Sequence, residues 1–259
     1  MTWQLHLGDC IEGMRALPDK SVDHVLADPE YSEHVHTCSR RGATGYDGDT
    51  GRAAISRNRE LGFAHLTDEN RLAYAEQYAR LALRWVLVFS DTEGAHLWRT
   101  DLERFGLQYI RTCFWHKIGG TPQFTGDRPA IALEAITVCH RPGRKKWNGG
   151  GKQGLYPFPI VLNRGGQDPR MHPTQKPLAL MRALVQDFTD PGDLVLDSHT
   201  GSGTTGAACI ELGRRFIGFE RDPKHHAVAL KRLESVQRQE RLPFREMRQL
   251  SLSSDGDLP

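Results

Sequence analysis

Three strings in the 259-residue chain carry side chains whose types and spacing can do chemistry. The first is Asp28-Pro29-Glu30-Tyr31, a carboxylate, a proline and an aromatic in close succession, directly after the apolar run 22–27. The carboxyl end of a strand is where α/β sheets place ligands. A plain turn after a strand reads the same way, so this string alone decides nothing. The second string runs from Asp197 to Thr205, DSHTGSGTT, between a strand pattern and a helix pattern. Glycines there permit a tight turn and close approach of backbone to a ligand, and the helix N-terminus beyond carries partial positive charge. Glu220 ends the next strand 17 positions after Gly203, a spacing that suits an acceptor for both hydroxyls of a ribose. This is the chemistry of a nucleotide-like cofactor. A nicotinamide site, or a turn with no ligand, has the same pattern. The third string, His34, His36 and Cys38, alternates on a loop without a second ligand cluster, so no metal is expected.

The elements that must position these groups alternate in type. Strands are expected at 22–27, 86–89, 108–115, 135–139, 193–197 and 215–220, with another ending at Gly8-Asp9. Helices are expected after Asp9, over 70–83 with apolar residues at helical spacing, over 176–188 opening at Pro177, and over 204–212. Such alternation predicts an α/β fold with a mostly parallel sheet and helices on both faces. Two segments lack periodicity: 32–65, with five arginines, and 140–154, with five Lys/Arg and no acid. Loops of that length are usually functional or disordered.

Taken together, GDC and DPEY near the start, HPTQKP (His172 to Pro177), and DSHTGSGTT with GFERDP near the end resemble the beta class of amino-group DNA methyltransferases. That resemblance spans about residues 5–223. It implies a Rossmann-like methyltransferase fold with circularly permuted motif order, the target-base motif preceding the cofactor loop. It implies S-adenosylmethionine as cofactor. Asp197 and the backbone of Thr200, Gly201, Ser202 and Gly203 would hold its methionine part, and Ser198, His199, Thr204 and Thr205 belong to the same cofactor site. Glu220 would take its ribose, and Asp9 with Cys10 would reach its adenine. Thr174, Gln175 and Lys176 would lie beside it, with Asp28 at its reactive end. The family usually has Pro-Phe where this chain has Ser198-His199, and a second proline where it has Glu30.

On this resemblance the reaction is methyl transfer from a sulfonium to an exocyclic amine, which relies on positioning and electrostatics. Asp28 and the Pro29 carbonyl would accept the two amine protons, and Tyr31 would stack on a base flipped out of the duplex. Asp28 favours adenine N6, because the family tends to carry serine there for cytosine N4; cytosine N4 stays open. A catalytically weakened descendant that binds DNA or cofactor is the alternative from another class, and a nicotinamide oxidoreductase a third. None of the five cysteines follows a proline, which argues against cytosine C5 chemistry. Trp115-His116-Lys117 and Glu134 resemble recurrent family residues without an assigned role. His34, His36, Arg40, Arg41, Arg144, Lys145 and Lys146 are expected to meet DNA phosphates, because their loops, near 32–65 and 140–171, flank the motifs in sequence.

Composition agrees with a globular chain: 38% hydrophobic, 25% charged, and 34 Lys+Arg against 32 Asp+Glu. A single methyltransferase domain over 1–250 is expected, with a frayed tail at 251–259. No apolar run approaches the ~20 residues of a membrane-spanning helix. The start MTWQLHLGDC carries no signal-peptide pattern, and odd, unclustered cysteines suit a reducing compartment, so a cytoplasmic enzyme is expected. Double-stranded DNA is the expected partner, and a homodimer is left open.

Overall fold

The computed structural model describes residues 2–30, 44–46, 53–55, 66–120, 129–161 and 175–241. Ten strands and six helices occur among them, in the chain order β1 (Trp3–Leu7), α1 (Cys10–Arg15), β2 (His24–Ala27), β3 (Thr44–Tyr46), β4 (Ala53–Ile55), α2 (Asp68–Leu81), β5 (Trp85–Ser90), α3 (Ala95–Arg104), β6 (Gln108–Ile118), β7 (Leu133–His140), β8 (Leu155–Pro159), α4 (Leu178–Phe188), β9 (Leu194–Asp197), α5 (Thr204–Glu211), β10 (Arg215–Glu220) and α6 (Pro223–Arg241). Eight strands form one sheet in the order β1-β10-β9-β2-β5-β7-β6-β8, while β3 and β4 pair as an antiparallel hairpin.

All neighbours in the large sheet are parallel except those of β7, which runs against both β5 and β6. The expected mostly parallel α/β sheet is therefore present. The reversal follows from the way β6 and β7 succeed one another. They are consecutive in the chain and direct neighbours in the sheet, the arrangement in which strands pair antiparallel, whereas parallel neighbours are joined by crossovers.

Both faces of the sheet are covered, which is why its central strands read as unbroken apolar runs. In β5, Trp85, Leu87 and Phe89 join the core beneath α4, α5 and α6, whereas Val86 and Val88 join the core beneath α1, α2 and α3. Leu26 of β2 goes to the first core and Val25 and Ala27 to the second. Successive residues of a strand point to opposite faces, so each side chain from Trp85 to Phe89 has an apolar destination.

Helix ends match their sequence signals. Asp9 caps α1 by accepting from the backbone N–H of Ile11 and Glu12 at 2.8 and 3.0 Å. Thr67 caps α2 through the N–H of Asn70, and Asp68 and Glu69 in its first turn suit the helix dipole. The helix ends two residues earlier than the periodicity predicts, because Ala82 leaves it to bridge Val22.

From β9 the chain crosses through α5 to β10 on one side, and from β2 through α2 to β5 on the other. The crossovers diverge between these adjacent strands. A crevice opens at the carboxyl ends of strands where connections part in this way. No helix among the described residues is long and apolar enough to cross a membrane.

Candidate active site

A cavity of about 710 Å³ lies at that crevice. Its wall is contributed by Asp9 and Cys10 from the β1–α1 turn, by Asp28 and Pro29 after β2, and by Gln175 and Lys176 ahead of α4. The β9–α5 turn adds Asp197, Ser198, His199, Thr200, Gly201 and Ser202, the first turn of α5 adds Thr204 and Thr205, and β10 ends in Glu220. Residues as far apart in the chain as Asp9 and Glu220 thus share one space. Gly203 is not in the wall. It stands at φ +79°, and a Cβ there would come within 3.2 Å of Ala229 on α6, so this glycine serves backbone geometry and helix packing. Tyr31, Thr174, His34, His36, Arg40 and Arg41 lie outside the described residues.

In the cofactor half, Glu220 is oriented by backbone. Its Oε2 accepts from the N–H of Gly201 and its Oε1 from that of Asp222, both at 2.8 Å. A carboxylate oxygen has room for a second donor, so both remain open to hydroxyls. Asp197 is 2% exposed and accepts from the N–H of His199 at 3.0 Å. Burial pushes its carboxyl up to about 7. No Lys or Arg pairs with it among the described residues. Asp9 commits one carboxylate oxygen to capping α1, so the fold alone already requires an acceptor at this position.

The Ser198-His199 departure is accommodated by a chain of contacts. The Tyr78 and Ser198 hydroxyls lie 2.6 Å apart, Ser198 Oγ lies 2.8 Å from His199 Nδ1, and the other ring nitrogen approaches Cys10 Sγ at 3.9 Å. The imidazole stands edge-on to Tyr74, with ring centroids 4.8 Å apart. Burial pushes the imidazole down to about 4 and the Cys10 thiol up to about 12, so both are neutral near pH 7. A neutral planar ring therefore occupies the place where the family has phenylalanine, with its polar atoms engaged.

In the target half, Lys176 does more than line the cavity. Its Nζ donates to Asp28 Oδ2 at 2.6 Å and to Glu134 Oε1 at 2.9 Å, and lies 5.0 Å over the Phe89 ring. Lys117 donates to Glu134 Oε2 at 2.7 Å. Burial raises the Asp28 carboxyl above its ordinary range, while Lys176 pulls it back and Glu134 adds to the rise. Glu30 pairs with Arg221 at 3.0 Å, an ion pair joining the ends of β2 and β10 beside the cavity. Tyr74, Phe89, Lys117 and Arg221 also line the cavity. Of these, Lys117 belongs to the Trp115-His116-Lys117 string and Arg221 to GFERDP, and the sequence implied no role for either.

The basic loop after β7 stands elsewhere. His140 pairs with Trp85, the first residue of β5, so the chain leaves β7 at the sheet edge opposite the cavity. There Lys146 bonds Asp190 at 2.7 Å, Lys145 bonds the carbonyls of Pro142 and Gly143, and Trp147 packs on Phe188. Arg144, Lys145 and Lys146 do not line the cavity. Proximity in sequence to the motifs does not carry over into space, because the reversed β7 delivers the loop to the end of the sheet away from the cavity. Among the described residues no group of three or more His, Cys, Asp or Glu is placed to hold a metal.

Comparison with known proteins places this geometry. The sequence profile of the N6/N4 methyltransferase family, described as DNA methylase, matches residues 82–231. The type II methyltransferase M.HinfI of Haemophilus influenzae is 26% identical over 258 residues, covering 88% of this chain and 67% of that protein. The putative methylase YubD of Escherichia coli (strain K12) is 30% identical over 233 residues, covering 89% and 90%. Among solved structures, M1.HpyAVI in its SAM complex superposes with TM-score 0.65 at 25% identity, over 89% of this chain and 98% of that one. The cytosine-N4-specific PvuII DNA methyltransferase shares the fold with TM-score 0.65 at 17% identity, over 91% and 90%. A profile match across more than half of the residues, with motif order and crevice in agreement, leads to one conclusion: the chain belongs to the N6/N4 family of DNA methylases.

Proposed function

We propose that this methylase transfers a methyl group from S-adenosylmethionine to the N6 amine of adenine in double-stranded DNA. The observation that carries the reading is the convergence of Asp28-Pro29 with Asp197, the glycine turn and Glu220 on one cavity. The residues fit the cofactor. Glu220 keeps acceptor capacity for ribose hydroxyls, and Asp197 is a buried carboxylate suited to the ammonium of an amino-acid tail. When bound, the cofactor supplies an electrophilic methyl group on a sulfonium, a good leaving group.

The chain's own part is positioning and charge. The exocyclic amine of a base is a poor nucleophile, since its lone pair is conjugated with the ring. The Asp28 carboxylate and Pro29 carbonyl accept its two protons, favour a pyramidal nitrogen and stabilise the charge that develops on it. Asp28 takes up the proton after transfer. Tyr31 stacks on the base, which leaves the duplex to reach the crevice. Aspartate at position 28 favours adenine over cytosine by the family resemblance.

The test is incubation with tritiated S-adenosylmethionine and mixed genomic DNA, digestion, and identification of the labelled nucleoside. N6-methyladenine is expected. N4-methylcytosine overturns the choice of base, and absence of any labelled base overturns the activity.

A further inference from the structure

Four charged side chains of alternating sign stand in a row along the cavity wall, Glu134 alone among them lying behind its lining. Lys117 on β6 bonds Glu134 on β7, Glu134 bonds Lys176 ahead of α4, and Lys176 bonds Asp28 after β2. Lys176 and Glu134 are only 7% and 4% exposed. Buried ion pairs contribute little net stability, because desolvation offsets much of their attraction, and apolar residues often replace them without loss. A row with a buried centre, assembled from four separate chain segments, therefore asks for a role other than holding the fold. Its geometry supplies one. Both oxygens of Glu134 are taken by the two lysines. Oδ2 of Asp28 is taken by Lys176, while no described residue donates to Oδ1.

We propose that Lys176, Glu134 and Lys117 are positioning residues for the transfer reaction. Lys176 pins Oδ2 of Asp28 so that Oδ1 is the carboxylate acceptor left for the target amine, and Glu134 with Lys117 holds Lys176 in that pose. The inference rests on the role assigned to Asp28 above. The row also governs the charge of Asp28. Lys176 and Lys117 favour the carboxylate, Glu134 opposes it, and the buried Asp197 at the end of β9 is the other acid close by. Lys176 is itself pushed up to about 12 by its two acidic partners. It stays a cation across any working pH.

Two variants separate positioning from packing. Glu134→Gln keeps shape and removes the charge that opposes ionisation of Asp28. Lys117→Met, at the partly exposed far end of the row, removes a charge that favours it. Each is followed by ¹³C-carboxyl NMR titration of Asp28 in the full chain without cofactor, assigned with Asp28→Asn, and by the pH profile of single-turnover methylation. The Asp28 titration is expected to move down in Glu134→Gln and up in Lys117→Met, each on the order of one pH unit. The acid limb of the rate moves with it, in opposite directions for the two variants. Titrations that stay in place while rate or stability falls overturn the proposal, as does an acid limb that ignores a displaced titration. A wild-type chain that methylates no base, yet shows the expected titration shifts, overturns the functional reading and supports the grip of the row on Asp28.

Discussion

At the scale of single residues, the site divides into groups held charged and groups held neutral. Asp28 is the group whose removal tests the chemistry most directly. In Asp28→Ala, Lys176 keeps its Glu134 partner, so cofactor affinity is expected to persist. The single-turnover rate is expected to fall about 100- to 1000-fold, the usual cost of removing one preorganised partner. Near wild-type turnover in that variant would place the chemistry elsewhere. Asp197 makes a pH-dependent prediction. Its carboxyl is raised from 3.8 to about 7 by burial. The folded chain thus binds this proton more tightly than the unfolded one, and the associated stability is lost as pH rises through about 7. Cofactor binding has the opposite sign, because an ammonium pairs with the carboxylate form. Calorimetry from about pH 5.5 to 7.5 should show affinity rising with pH, and Asp197→Asn should flatten that slope. A slope unchanged in Asp197→Asn would remove this residue from the cofactor site. His199, lowered from 6.5 to about 4, costs the folded chain stability as pH falls below 6.5, since the unfolded chain takes up that proton first.

At the scale of elements, the turns after β2 and β10 are tied together by Glu30 and Arg221. The family proline at position 30 would lock its own φ and restrain Pro29 through local sterics. Here an ion pair between two partly exposed side chains replaces that restraint. Such pairs are worth at most about 1 kcal/mol, so Glu30→Pro is expected to leave the single-turnover rate within about fivefold of wild type. The proposed acceptors, Asp28 and Pro29, are untouched by the change. A larger rise would show that glutamate loosens the turn, and a collapse with cofactor binding intact would reveal a direct role for Glu30.

At the scale of the whole molecule, the direction of each strand decides which loops stand beside the cavity. The carboxyl ends of the parallel strands, β6 and β8 included, stand at the cavity end of the sheet. Loop 141–154 stands at the other. DNA affinity should fall steeply with salt, and replacing Arg40 and Arg41 together by alanine should flatten the slope by about one unit for each phosphate left without its cation. Replacing Lys145 and Lys146 by alanine should leave the slope unchanged. A flattened slope in the lysine variant would mean that DNA wraps to the far edge of the sheet.

Much of this is legible in the amino-acid order because local chemistry determines it. The apolar runs of β5, β9 and β10, the cap at Asp9, the glycine turn before α5 and the acid closing β10 each follow from short-range sterics or from the two-residue period of a strand. The motif strings carry the family as well, since they are contiguous. Other features need the tertiary structure. Lys117, Glu134 and Lys176 lie up to 59 positions apart and about 150 from Asp28 at the extreme, and no periodicity links them; only the adjacency of β2, β5, β7 and β6 brings them into a row. The place of the basic loop is hidden for the converse reason. Its composition is local, but its position is set by the reversal of β7, a property of strand pairing. Sequence determines what each segment can do. The pairing of distant strands decides which segments do it together, because an ion pair needs its partners within about 4 Å and the chain meets that condition only when folded.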